Sequence, residues 1–162
     1  MEGEPLASAP EHILRKAAER FRQTTGMNIK AFGELEYYVI SPKDPLYPGT
    51  DQKGYHAPAP FAKWEALRVE ALRLIAQCGG SVKYAHSEVG CFTSEDQAFE
   101  QHEIEFLPVD IEDSADQMSI AKWILRTLAY RFGVTISFAS KITVGQAGSG
   151  LHIHMLLEKE GK

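Results

Sequence analysis

Three segments of the chain pair ligand-type residues across a single intervening position: Glu34 with Glu36, Glu103 with Glu105, and His152 with His154. On a strand, residues two apart project to one face, so each pair would present two such side chains on one surface. Glu88 adds a single carboxylate, with His86 two positions before it. Carboxylates held this close are tolerated when water solvates them or when a cation sits between them. Taken alone, Glu103 and Glu105 fit the solvated outer face of a sheet. Glu34 and Glu36 fit that reading less well. Their neighbours Phe32, Leu35, Tyr37, Tyr38 and Val39 make the segment apolar on both faces, as in a covered central strand. Either histidine alone would pass for an ordinary hydrogen-bonded side chain, but both follow Gly148-Ser149-Gly150. A Gly-rich turn lets backbone approach a ligand closely and can cradle phosphate with its N–H groups. The whole set is dominated by carboxylate oxygen, with imidazole and no thiolate. Such hard donors suit Mg²⁺ or Mn²⁺ rather than structural zinc. Magnesium held by few protein carboxylates commonly shares its coordination sphere with substrate phosphates, which points to phosphoryl transfer.

The elements that must position these residues follow from periodicity. Ile13, Leu14, Ala17, Ala18 and Phe21 predict a helix from Pro10, closed at Gly26. Residues 29–40 read as a strand. Residues 41–60 hold five prolines and two glycines and read as a long loop, functional or mobile. A second helix is predicted from Phe61 to Gln77, with Trp64, Leu67, Ala71, Leu74 and Ile75 on its apolar side and Gly79-Gly80 as its stop. Strands are predicted over Val82–Val89 and Gln101–Ile111. A third helix over Ser114–Phe132 carries Met118, Ala121, Leu125, Leu128 and Phe132. Val134–Phe138 and Leu151–Glu158 are the last predicted strands. Neighbouring strands without a helix between them favour antiparallel pairing. The expected fold class is therefore α+β, a mainly antiparallel sheet with helices on one face.

Bulk composition sets limits. The 162 residues suit one domain, with 44% apolar and 24% charged residues and a net charge of −5. That balance gives no basic footprint for nucleic acid. No apolar run is long enough to span a membrane. Cys78 and Cys91 are the only cysteines and suggest neither a zinc motif nor a disulfide framework, as expected of a reduced, cytoplasmic setting. The start has no basic end followed by an apolar stretch and does not read as a signal peptide. Residues 1–9 are expected to be a flexible lead-in.

Several segments resemble the glutamine synthetase family, in the family's order. They are Gly33-Glu34-Leu35-Glu36-Tyr37-Tyr38, His86-Ser87-Glu88-Val89, Gln101-His102-Glu103, Tyr130-Arg131-Phe132-Gly133 with Lys141 after it, and Gly148-Ser149-Gly150-Leu151-His152-Ile153-His154. The resemblance implies that residues 10–162 are part of a glutamine synthetase-like catalytic domain, without the N-terminal β-grasp domain or the C-terminal part of the catalytic domain. It implies two divalent cations, Mg²⁺ or Mn²⁺. Glu36, Glu88 and Glu103 would hold the first, and Glu34 and His152 the second, with one more glutamate from further along the chain. His154 would lie by the ATP phosphates and Gly148 at the substrate. The implied reaction is ATP-dependent ligation of glutamate and ammonia through γ-glutamyl phosphate, in a homo-oligomeric ring.

The chain departs from the family pattern in three ways. Ala147 stands where the family has an Asn that helps hold glutamate. Glu88 and Glu103 are fifteen residues apart, longer than usual, with the extra length in Phe92–Glu100, where it would reshape the rim of the site. The family's downstream arginines and last cation ligand lie beyond Lys162, so these 162 residues alone are expected to be inactive. Glu105 and His86 have no ligand role in the family. Two alternatives remain open: a related carboxylate–amine ligase with another acid or amine, and a non-catalytic structural or regulatory member.

Overall fold

The computed structural model describes residues 3–161. Met1 and Glu2 of the expected lead-in, and Lys162, lie outside the described residues; Gly3 to Ala9 form neither helix nor strand. The elements, in chain order, are α1 (Pro10–Thr25), β1 (Asn28–Pro42), α2 (Glu65–Gln77), β2 (Val82–Ser94), β3 (Gln97–Phe106), β4 (Val109–Asp110), α3 (Ile111–Phe132), β5 (Thr135–Ser137) and β6 (Leu151–Glu158).

β1 is the spine of a six-stranded sheet in which every pairing is antiparallel. One edge of β1 pairs with β4 at Lys30–Ala31 and with β3 at Glu34–Pro42. The other edge pairs with β6 at Asn28–Leu35 and with β5 at Tyr38–Ile40. β2 lies outside β3. The period-2 alternation then divides the side chains. Leu35, Tyr37 and Val39 of β1 and Ile104 and Phe106 of β3 face α2 and α3, where they form one core with Leu67, Ala71, Ile75, Met118, Ala121, Leu125 and Leu128. Residues of the opposite parity, Glu34, Glu36, Glu103 and Glu105, point away from the helices. The predicted α+β class and one-sided helices are what the structure shows. α1 fits its predicted limits, with Gly26 left-handed at its end (φ 69°), yet none of its residues is buried and Ile13 and Ala17 are exposed.

Several boundaries differ from the sequence reading, among them the end of β2 at Ser94 and the start of α3 at Ile111. α2 begins at Glu65, not Phe61. The two residues just before it are held by a distant acceptor: the Glu100 carboxylate of β3 accepts from Lys63 N at 2.9 Å and Trp64 N at 3.1 Å, a partner no local capping pattern reveals. The strand expected over Gln101–Ile111 starts earlier and ends at Phe106, because Pro108 cannot donate to the ladder; β4 and the start of α3 follow. The Phe92–Glu100 stretch extends a regular hairpin. It pairs to Ser94↔Gln97 and turns at Glu95 (φ 50°), with Phe92 and Phe99 stacked at 4.4 Å.

The Pro-rich 41–64 segment lies along the outer edge of β2 instead of projecting freely. Gln52 N donates to Cys91 O, Gly54 N to Val89 O and His56 N to Ser87 O. These bonds cover an edge that would otherwise be free to pair with another chain.

Candidate metal centre

Register brings the ligand-type pairs together. Glu36 lies opposite Glu103, Glu34 opposite Glu105 on one side and His152 on the other, and His86 opposite Glu103. All therefore share the face away from the helices. Glu88 joins them through an irregularity in β2, which takes four steps from Ser87 to Cys91 where β3 takes two from His102 to Glu100. Such a bulge re-aims the side chains on it.

Two groups of ligand atoms converge among the described residues. Glu34, Glu103 and His152 each offer an atom within 4.8 Å of the others, and so do His86, Glu88 and Glu103. Glu103 belongs to both groups and lies between them. His152 Nδ1 is 3.1 Å from Glu34 Oε2, and His154 Nε2 is 3.1 Å from Glu34 Oε1. Glu36 is on the same face but joins neither group. Its Oε2 accepts a hydrogen bond from the Gln101 amide at 2.8 Å, and its Oε1 is 3.9 Å from His152 Nδ1. Gly150 permits this packing. A Cβ there would sit 2.7 Å from the His152 ring and 2.9 Å from Glu36 Oε1.

The electrostatics of this face favour a cation. Glu103 is only 7% exposed. Burial, then the charges of Glu36, Glu88, Glu34 and Glu105, push its carboxyl up to about 8. Among the described residues, Lys83 is the only Lys or Arg in an ion pair with these five carboxylates, and it sits on Glu105 at 2.8 Å. Burial raises Glu105 as well, but its bonds from Lys83 and Tyr84 more than offset that and hold it below the usual range. Glu105 is thus offset by a lysine, whereas among the described residues no Lys or Arg pairs with Glu103, whose nearest partner is His86 Nε2 at 3.3 Å. A hard, oxygen-rich donor set around an uncompensated carboxylate fits a divalent cation.

The raised Glu103 carboxyl has a consequence for stability. Between about pH 4.5 and 8 the folded chain holds a proton there that the unfolded chain has released, so this group's contribution to stability falls as pH rises through that window and then levels off. Urea unfolding in EDTA at pH 5.5, 7.0 and 8.5 should show this slope in the wild type and a flatter one in Glu103→Gln. Equal slopes would contradict the assignment.

Residues without an assigned role from sequence also frame the site. Tyr38 OH donates to Ala147 O at 2.9 Å, and Ala147 N donates to Gln52 Oε1 at 2.8 Å. The segment before Gly148-Ser149-Gly150 is therefore held from both the sheet and the 41–64 segment. His86 is buried against Glu103, 3.3 Å from Nε2 to Oε2, and stacks on His56 at 4.5 Å. Periodicity placed His86 near Glu88 but carried no sign of the 41–64 segment folding back onto it.

Comparison with known proteins accords with this geometry. Residues 7–162 match the family described as "Glutamine synthetase, catalytic domain". The glutamine synthetase of Thermus thermophilus is 30% identical over 99% of the chain and 35% of its own length, and that of Methanosarcina mazei is 29% identical with the same coverage. The fold matches Plasmodium falciparum glutamine synthetase with a TM-score of 0.83 at 22% identity, covering 99% of this chain and 36% of that one. It also matches a GmaS/ADP complex with a TM-score of 0.78 at 22% identity, again over 99% of this chain and 36% of that one. The chain belongs to the glutamine synthetase family, within the catalytic domain. It spans about a third of the length of the curated relatives it matches.

Proposed function

We propose that the whole protein is an ATP-dependent carboxylate–amine ligase that joins glutamate and ammonia, and that this chain supplies most of its cation-binding carboxylates. The observation that carries the proposal is that Glu34, Glu88, Glu103 and His152 offer ligand atoms in two groups that share the buried Glu103 carboxylate, with Glu36 on the same sheet face opposite it. Glu36, Glu88 and Glu103 would hold one Mg²⁺ or Mn²⁺. Glu34 and His152 would contribute to a second, with a further ligand from elsewhere in the protein. Bound cations would neutralise charge on the transferring phosphoryl group.

The substrate carboxylate attacks the γ-phosphorus of ATP, the bond to ADP breaks, and an acyl phosphate forms. Ammonia then attacks the acyl carbon, gives up a proton, and inorganic phosphate leaves. In this scheme His154 lies beside the nucleotide phosphates, and the Gly148 backbone lies beside the acid. The carboxylate-rich face attracts cations and repels free anions, so phosphate groups would approach it through bound cations. The whole protein is expected to act as a homo-oligomeric ring on soluble small molecules, in the cytoplasm. Among the described residues no helix is long and apolar enough to cross a membrane.

One observation favours a second reading. Ala147 presents a methyl, and its backbone N–H and C=O are taken by Gln52 and Tyr38. An acid other than glutamate, or an amine other than ammonia, is the alternative. Assaying the full-length protein across acids and amines separates the two. Glutamate with ammonia as the best pair by tenfold or more supports the first reading; another pair leading by that margin supports the second. Glutamine formation by these 162 residues alone would contradict the expectation that they are inactive by themselves.

A further inference from the structure

We propose that Gln101 is a positioning residue whose side-chain amide sets the Glu36 carboxylate, the Glu88 bulge and the Gly-Ser-Gly turn in one frame, so that cation affinity depends on a side chain that binds no cation. The inference rests on the reading of Glu36 and Glu88 as cation ligands.

Gln101 is fully buried on the site face of β3. Its Nε2 lies 2.8 Å from Glu36 Oε2, 2.8 Å from Gly148 O and 3.2 Å from Ser149 Oγ. Its Oε1 accepts the Gly90 N–H at 3.0 Å. The amide orientation follows from chemistry. A backbone N–H can only donate, so the oxygen must face Gly90 and the NH₂ must face the carboxylate. The residue at 101 must therefore accept at one end and donate at the other. A carboxylate would repel Glu36, and an apolar side chain would leave the Gly90 N–H and the Gly148 carbonyl without this partner.

The three elements joined in this way carry the ligands. Gly90 is two residues beyond Glu88, on the irregular part of β2, and it must be glycine: a Cβ there would meet Tyr38 OH at 2.0 Å and Gln101 Oε1 at 2.6 Å. Gly148 and Ser149 lead directly into β6, which carries His152. Glu36 Oε2 is committed to the amide, which leaves Oε1 facing Gly150 and His152. Outer-shell hydrogen bonds of this kind fix the orientation of ligating carboxylates, and their loss typically costs about 10–100-fold in cation affinity.

Calorimetric titration of the chain with Mn²⁺ tests the proposal, using wild type, Gln101→Met and Leu125→Ala. The last is a core truncation on the helix side of the sheet, remote from the site, that lowers stability without touching it. Gln101→Met is expected to bind Mn²⁺ about 10–100-fold more weakly, with Leu125→Ala close to wild type. Affinity in Gln101→Met within about threefold of wild type, or an equal loss in Leu125→Ala, would overturn the proposal. No Mn²⁺ binding by the wild type would overturn the cation reading and this inference with it. A readout in the unmutated chain guards against a misfolded variant: the Gln101 side-chain NH₂ resonances should shift on saturation with Mg²⁺, and unmoved resonances would overturn the positioning role.

Discussion

Replacing Arg68 with alanine is expected to destabilise the fold by about 1–3 kcal/mol, the cost of leaving a buried acceptor without its donor. Arg68 is 7% exposed on the first turn of α2, on the face that packs against the sheet. Its Nη1 lies 2.8 Å from His102 Nδ1. A guanidinium can only donate, so His102 accepts at Nδ1 and, when neutral, carries its proton on Nε2. That Nε2 lies 2.7 Å from Glu100 Oε1, close but not well aligned for a hydrogen bond. Burial drives the His102 pKa down and favours the neutral ring. Glu100 in turn holds the backbone N–H groups that precede α2. Without Arg68 the buried His102 Nδ1 loses its donor, and Glu65 loses a cation 3.8 Å away. In a domain of this size the change corresponds to a fall in Tm on the order of 5 °C. Thermal and urea unfolding of Arg68→Ala measure it; a shift within about 2 °C would show that the network contributes little.

The second large effect changes sign with conditions. Mn²⁺ at a hundred times its Kd should stabilise the wild type by about 2.7 kcal/mol, or on the order of 5–10 °C in Tm. Glu103→Gln should lose most of that response, because Glu103 is shared by both groups of converging ligand atoms. In EDTA near pH 8 the order should reverse. There about half of the folded wild type carries a charged Glu103 among Glu36, Glu88, Glu34 and Glu105, a form that burial and these neighbours disfavour, and the amide removes that repulsion. A variant less stable than wild type in EDTA, or equally stabilised by Mn²⁺, would contradict this account.

What sequence made legible follows from short-range periodicity. Alternation along β1 separates Leu35, Tyr37 and Val39 from Glu34 and Glu36, and the structure puts the first set on the helices and the second on the opposite face. The spacing of His152 and His154 works the same way, and β6 keeps its predicted limits. Cross-strand identity was not legible, because register is set by long-range pairing. Nothing near Glu105 in the chain marks Lys83 as its partner, yet that ion pair separates it from Glu103, which otherwise looks the same. Glu100 at the start of α2, Arg68 against His102 and the 41–64 segment on β2 are likewise long-range contacts. Gln101 stood in a recognisable motif, but its role depends on Gly90, Glu36 and Gly148 arriving together from three separate elements.

The central claim is that this sheet face binds a divalent cation through the carboxylates of β1, β2 and β3. Calorimetric titration of wild type and Glu36→Ala with Mn²⁺ tests it most directly. Saturable binding is expected in the wild type. In Glu36→Ala it should weaken by more than the roughly 10–100-fold typical of an outer-shell change, because the role proposed for Glu36 is that of a direct ligand. Superimposable isotherms for the two proteins would contradict the assignment.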